Sequence, residues 1–423
     1  MLRSFTRVAG TCVIACAAAY AWAAEAVHTQ ADLTLADALR AANAHNPALR
    51  GAPVELRALE GRRQQAAARP NPELELEFEN FGGGGDFAGT DALETTLALS
   101  QLIELGGKRD ARIAFASREY DLLRADQEVR RLDVQAEVAR RFLDVVAQQE
   151  RVALAHDTAE LASEVHAGVQ KRVDAARSPI AEESRADIAR IRAALVVTDA
   201  ERDLESARYA LAATWGAHRP NFQAARADLQ DFPEVAEFDA LVSQLEQKPD
   251  QLRFLSEQRL REAELRLARA TRKPDFTVGA GVRRFEETGD NAFVLSLSVP
   301  LPVANRNAGA IAESQARIEA LPYEREAALL EVRTRLFRLY QELQQARTES
   351  TALDSQLVPQ AREALEQTRA GFDRGRFSYL EVAEAQRELL ELELTRIETA
   401  AAFHLLLIEI ERLTRQSLAT STS

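Results

Sequence analysis

Sulfur is almost absent from this chain of 423 residues: Met1 is the only methionine, and both cysteines, Cys12 and Cys16, lie close behind it. Beyond Cys16 no thiol is available to close a disulfide, attack as a nucleophile or hold a soft metal ion. Positive charge is also in deficit. With 53 Lys and Arg against 66 Asp and Glu the chain carries net −13, which disfavours a nucleic-acid partner. Past the first residues no apolar run approaches the ~20 residues of a spanning helix. Entry into a membrane would therefore require strands.

Catalytic and metal-binding patterns are missing as well. The six histidines, His28, His45, His156, His166, His218 and His404, show no H-E-x-x-H or similar spacing. No Ser-His-Asp or Cys-His arrangement is suggested by any local motif. Gly82-Gly83-Gly84-Gly85 is not followed by Lys-Ser/Thr or a helix start, so it reads as a loop rather than a phosphate cradle. The expectation is a passive protein, without enzymatic activity, cofactor or resident metal.

What is present begins with an export signal. Arg3 and Arg7 form a basic start, Val8 to Tyr20 an apolar run, and Ala21-Trp22-Ala23 a small-x-small cleavage site. Residues 1–23 are thus read as a signal peptide. Its removal would make the net charge −15, since Arg3 and Arg7 leave with it. Val13-Ile14-Ala15-Cys16 also matches a lipobox that would acylate Cys16, although the apolar run continues past it through Tyr20. Both routes end in a bacterial envelope.

The remainder repeats itself with a period of about 200 residues. Asp37-Ala38-Leu39 and Asn46-Pro47 return as Asp239-Ala240-Leu241 and Lys248-Pro249. Residues 24–219 form one repeat and 239–416 the other. Residues 220–238 read as a linker or belt around the middle, and 417–423 as a tail. Each repeat has a helix, a strand hairpin (73–105 and 276–301), a very long helix and a return helix.

The hairpins alternate with period two. Leu74, Leu76 and Phe78 oppose Glu73, Glu75, Glu77 and Glu79, and Phe293, Leu295, Leu297 and Val299 oppose Val294, Ser296 and Ser298. On their own such strands read as half-buried sheets of a soluble domain; they also suit a bilayer, with one face for lipid and one for a lumen. Four strands cannot close a barrel, and open edges are not viable in lipid. Spanning therefore requires several chains to pool their strands.

In the long helices, Leu122, Ala125, Val129, Leu132, Ala136, Ala139, Leu143 and Val146 form a heptad seam, with a second through Val138, Val145, Val152 and Ala159. A helix with two seams packs against a neighbour on each side, as in a curved wall. The second repeat matches it through Leu329, Val332, Leu336, Leu339, Leu343, Ala346, Leu353 and Leu357.

Both long helices end in breaks. In Gly371-Phe372-Asp373-Arg374-Gly375-Arg376-Phe377-Ser378, Gly375 suits a positive φ and Ser378 an N-cap, with Glu381 at N3 of a capping box and Glu384 on the same face. The first break, Asp174-Ala175-Ala176-Arg177-Ser178-Pro179, offers Ser178 as cap and Pro179 for the first turn. There Ala176 stands in the place of Gly375, and Arg185 in that of Glu384.

This duplicated plan resembles the TolC-like outer-membrane factors over essentially the whole chain beyond the signal. Arg69-Pro70-Asn71-Pro72-Glu73-Leu74, Asn80-Phe81-Gly82-Gly83 and Leu99 to Arg109 are similar to the cobalt-zinc-cadmium, CzcC-like branch. The resemblance implies a mainly α fold with a small β part: a homotrimer with an α-barrel tunnel under a shared twelve-stranded β-barrel. It implies a location in the outer membrane of a Gram-negative bacterium. It also implies docking to a periplasmic adaptor and an inner-membrane resistance-nodulation-division (RND) pump. Arg369, Gly371, Asp373, Gly375, Arg376, Phe377 and Ser378, with Asp174, Ala176, Arg177, Ser178 and Pro179, would face the adaptor. Glu381 and Glu384 would form an acidic ring at the periplasmic gate.

The function implied is a passive exit duct for divalent heavy-metal cations. Drug efflux and type I protein secretion use the same duct. Outside this class stand a periplasmic adaptor, which has one hairpin flanked by lipoyl-like domains, and an exported coiled-coil scaffold without a pore.

Overall fold

The computed structural model describes residues 30–245 and 249–414. The signal peptide, the lipidation candidate Cys16 and the tail 417–423 lie outside the described residues. Strand β1 (Gln30–Leu33) leads into helix α1 (Leu35–His45). Thr34 caps α1 reciprocally with Asp37, whose backbone N–H donates to the Thr34 hydroxyl at 3.2 Å. Helix α2 (Pro47–Ala67) starts under Asn46, whose side chain accepts from Ala48 N and Leu49 N.

Strands β2 (Glu73–Glu79) and β3 (Glu94–Ile103) follow, then helix α3 (Lys108–Asp174). At 67 residues α3 extends about 100 Å. Helix α4 (Ile180–Ala213) returns, and β4 (Phe222–Ala225), α5 (Phe238–Leu245) and α6 (Pro249–Thr271) lead to the second hairpin. That hairpin is β5 (Phe276–Phe285) and β6 (Asn291–Ser298). Helices α7 (Ala308–Ala352), α8 (Val358–Asp373) and α9 (Tyr379–Thr414) complete the chain.

The two hairpins join into one antiparallel sheet of order β2-β3-β5-β6. Its register aligns apolar rows across all four strands: Leu74, Leu99, Ala280 and Leu295 form one, and Leu76, Leu97, Val282 and Phe293 the next. Among the described residues nothing covers this face. Phe293 is 91% exposed and Leu295 85%. The opposite face carries Glu73, Glu75, Glu77 and Glu79 along β2, and Arg283 paired with Glu79 and Glu94 at 2.8 and 2.9 Å. Gly279 and Gly281 face the same way. A Cβ on Gly281 would lie 2.5 Å from the Leu97 carbonyl oxygen, so β3 and β5 approach there too closely for a side chain.

Residues 220–238 are more structured than a linker. Phe222–Ala225 pairs in parallel with β1, joining the segment to the start of the described chain. The two short strands went unrecognised in the sequence because four residues are too few to show a period. Around them Ala38, Leu39, Trp215 and Phe222 pack on Val138, Phe142, Val145 and Val146 of α3. A second cluster sets Leu241 and Leu245 on Leu336, Leu339, Leu343, Phe403 and Ile410. The α3 seams are accordingly buried at Leu132, Ala136, Val138, Ala139, Leu143, Val145 and Val146, and only half-buried at Leu122, Ala125, Val129, Val152 and Ala159.

The seam of the second repeat departs from expectation at its end. Between α7 and α8 the helix widens into a π turn (Leu353–Leu357), closed by Val358 N–H to Leu353 O. Pro359 follows at once; it has no N–H, and its ring would strike the carbonyl four residues back in a regular helix. The extra residue moves the seam from Leu357, 44% exposed, to Val358, 4% exposed. From there Leu365 and Phe372 continue it at seven-residue steps.

The helix tips as candidate functional site

The ends of α3 and α8 close with the same backbone geometry. Arg177 N–H donates to Arg172 O at 2.8 Å, and Arg376 N–H to Gly371 O at 2.9 Å, each pairing across five residues. This closure needs a left-handed residue. Gly375 supplies it at φ 75°, and Ala176 adopts φ 55° despite its Cβ. The left-handed conformation costs Ala176, an exposed residue, of order 1 kcal/mol.

Six apolar side chains bind the tips into one body: Val165 and Val169 of α3, Ala186 of α4, Leu365 and Phe372 of α8, and Val382 of α9. Tyr379 is buried among them, which raises its phenol above the usual value. Gly371 allows the Phe377 ring to fold back on α8, since a Cβ there would lie 2.2 Å from Phe377 Cδ2. Arg369 reaches α3 through Glu164 at 2.8 Å. Asp373 and Arg376 remain exposed.

Arg172, missed in the sequence, ties the two tips together. Its guanidinium donates to Phe372 O, lies 4.3 Å from the Phe372 ring centroid, and donates through Nε to Ser178 Oγ at 3.2 Å. Nothing local marks it among the many arginines, because its partner lies 200 positions away. Ser178 is consequently not the N-cap expected of it. Pro179 holds that place at φ −66°, its carbonyl accepting from Glu182 N–H at 2.9 Å, while the Ser178 hydroxyl serves Arg172.

At the other tip, Ser378 N–H and Oγ–H both donate to Glu381 Oε2, at 2.7 and 2.9 Å. These bonds hold the Glu381 carboxyl below its usual range. Glu384, one turn on, is exposed and paired with Arg387 of the same helix, which lowers it likewise. Both are charged at neutral pH, but Arg387 offsets part of the field at Glu384. Among the described residues no group of three or more His, Cys, Asp or Glu is arranged to hold a metal ion. None of the described helices is long and apolar enough to cross a membrane.

A family model described as "Outer membrane efflux protein" matches residues 38–217 and 241–415. Among curated proteins, the chain is similar to the cobalt-zinc-cadmium resistance protein CzcC of Cupriavidus metallidurans. The two are 32% identical over 359 residues, covering 85% of this chain and 84% of that one. It is also 25% identical to the nickel-cobalt-cadmium resistance protein NccC of Alcaligenes xylosoxydans over 62% of this chain and 61% of that one. The crystallised channel protein CusC superposes with TM-score 0.73 at 17% identity, over 90% of this chain and 91% of that one, a likeness of fold. The sheet with its bare apolar face, the long paired helices and the family match agree: the chain belongs to the outer membrane efflux protein family.

Proposed function

We propose that three copies of this chain assemble into a passive exit duct for divalent metal cations. The observation that carries this reading is the four-stranded sheet, apolar and uncovered on one face, with β2 and β6 as free edges within the protomer. Open edges are not tolerated in lipid, so like sheets pair edge to edge until the ring closes. Three copies bring twelve strands. The face carrying Glu73, Glu75 and Glu77 then turns to water inside, and the helices continue the bore as a tunnel.

The tips would face a periplasmic adaptor joined to an inner-membrane pump, with Glu381 and Glu384 as an acidic ring just inside. Carboxylates spread along a wide aqueous wall attract cations without trapping them. The metal assignment draws on the names of the two curated relatives and on this acidity. Deleting the gene and measuring growth against cobalt, zinc, cadmium, nickel and organic drugs tests it: sensitivity to the metals is expected. Sensitivity confined to organic compounds would overturn the assignment.

A further inference from the structure

All four connections between the sheet and the long helices carry cations that have no carboxylate partner among the described residues. Arg69 lies between α2 and β2, Arg109 in the first turn of α3, Arg272 and Lys273 between α6 and β5, and Arg306 between β6 and α7. Two acids of these segments are already engaged, Asp275 by Lys108 at 2.7 Å and Glu104 by Arg112. Asp110 is the other carboxylate there. The opposite end of the sheet is the reverse. Residues 80–93 and 286–290 contain Asp86, Asp91, Glu286, Glu287 and Asp290 and no Lys or Arg.

The collar is held in place, with donors to spare. Arg109 spends its Nε on Ala67 O at 2.6 Å, and Arg306 its Nε on Pro302 O at 3.3 Å, which leaves the terminal guanidinium nitrogens unspent. Lys273 lays its aliphatic stem against Gly106, where a Cβ would be 2.7 Å from Lys273 Cδ. Arg69 and Arg272 are exposed. Arg69 precedes the start of β2, and Arg272 and Lys273 that of β5, by a few residues, at most ~15 Å of chain. A bilayer's headgroup layer begins just beyond the ends of its apolar band, and long basic side chains extend into it from either side.

We infer that this collar binds the phosphates of anionic phospholipid headgroups in the leaflet on the helix side of the sheet, fixing the depth and direction of insertion. The inference rests on the reading of the apolar sheet face as lipid-facing. Planar guanidinium groups match phosphate oxygens two at a time, and the far end, where Arg284 is paired with Glu286 at 2.9 Å, offers the same lipids no comparable set of cations.

The test reconstitutes the full chain into vesicles of phosphatidylcholine with and without phosphatidylglycerol and reads the binding of spin-labelled forms of each lipid. Labelled phosphatidylglycerol should be enriched at the protein, and salt should reduce the enrichment. Combining Arg69→Gln, Arg272→Gln, Lys273→Gln and Arg306→Gln should remove most of it, at up to about fivefold per cation. Glu287→Gln with Asp290→Asn should leave it unchanged. If the fourfold variant does not assemble, Arg272→Gln alone should still lower the enrichment. Insertion with equal binding of both lipids, or full enrichment in the collar variants, overturns the collar. Failure to insert into either vesicle overturns the membrane reading beneath it.

Discussion

At the scale of single residues, charge at the tip is set by near neighbours more than by composition. Glu381 is both helix cap and carboxylate, and Glu384 shares its field with Arg387. In planar-bilayer recordings, Glu384→Gln should weaken cation preference and divalent block, whereas Arg387→Gln should strengthen both. The sign of the pH response follows from the lowered carboxyls. Cation preference should persist from neutral pH down to the ordinary carboxylate value, 4.5, and fade only below it. Glu381 also contributes stability above that value, lost as pH falls through its lowered one. Unchanged currents in the two variants would remove the residues from the gate. The cap was legible in the sequence because Ser378 and Glu381 are three apart; Arg172, whose carbonyl partner is set by tertiary packing, was not.

Among the elements, the π turn explains why a strict heptad reading fails only after Leu353. Its one extra residue rotates α8 so that Val358, Leu365 and Phe372 are all buried, and Pro359 holds it open. Deleting Gln356 removes the extra residue yet keeps those three side chains in phase with Leu353. The deletion alone forces the Pro359 ring against a helical carbonyl, at about 3 kcal/mol. Joined with Pro359→Ala it should restore most of that loss, read as recovery of the thermal midpoint. If the two variants melt alike, proline is not the cause of the turn. The long helices and hairpins could be read from periodicity, which sums over many residues. The pairing of β1 with β4 could not, since four-residue strands draw their stability from the α1 and α3 side chains beneath them.

For the whole molecule, the face of each strand decides what it tolerates. Leu295, in the middle of the bare face, should accept arginine only at about 2–4 kcal/mol, measured as folding into lipid vesicles. Ser296→Arg, one residue along and pointing to the water-filled side, should fold nearly as the parent does. Equal costs at both positions would mean that the sheet does not meet lipid on one side only. Duplication made this architecture readable from alternation and seams, whereas the joining of both hairpins into one sheet required β3 and β5, about 180 residues apart, to meet.

The two descending arms, Lys108–Asp174 and Ala308–Asp373, leave the same sheet and are within one residue of equal length. Their ends therefore stop at the same depth, closed by the same turn at Ala176 and Gly375. Copies arranged around an axis would present a level crown of alternating knuckles, alike in backbone and unlike in charge, with Arg185 in one repeat where Glu384 stands in the other.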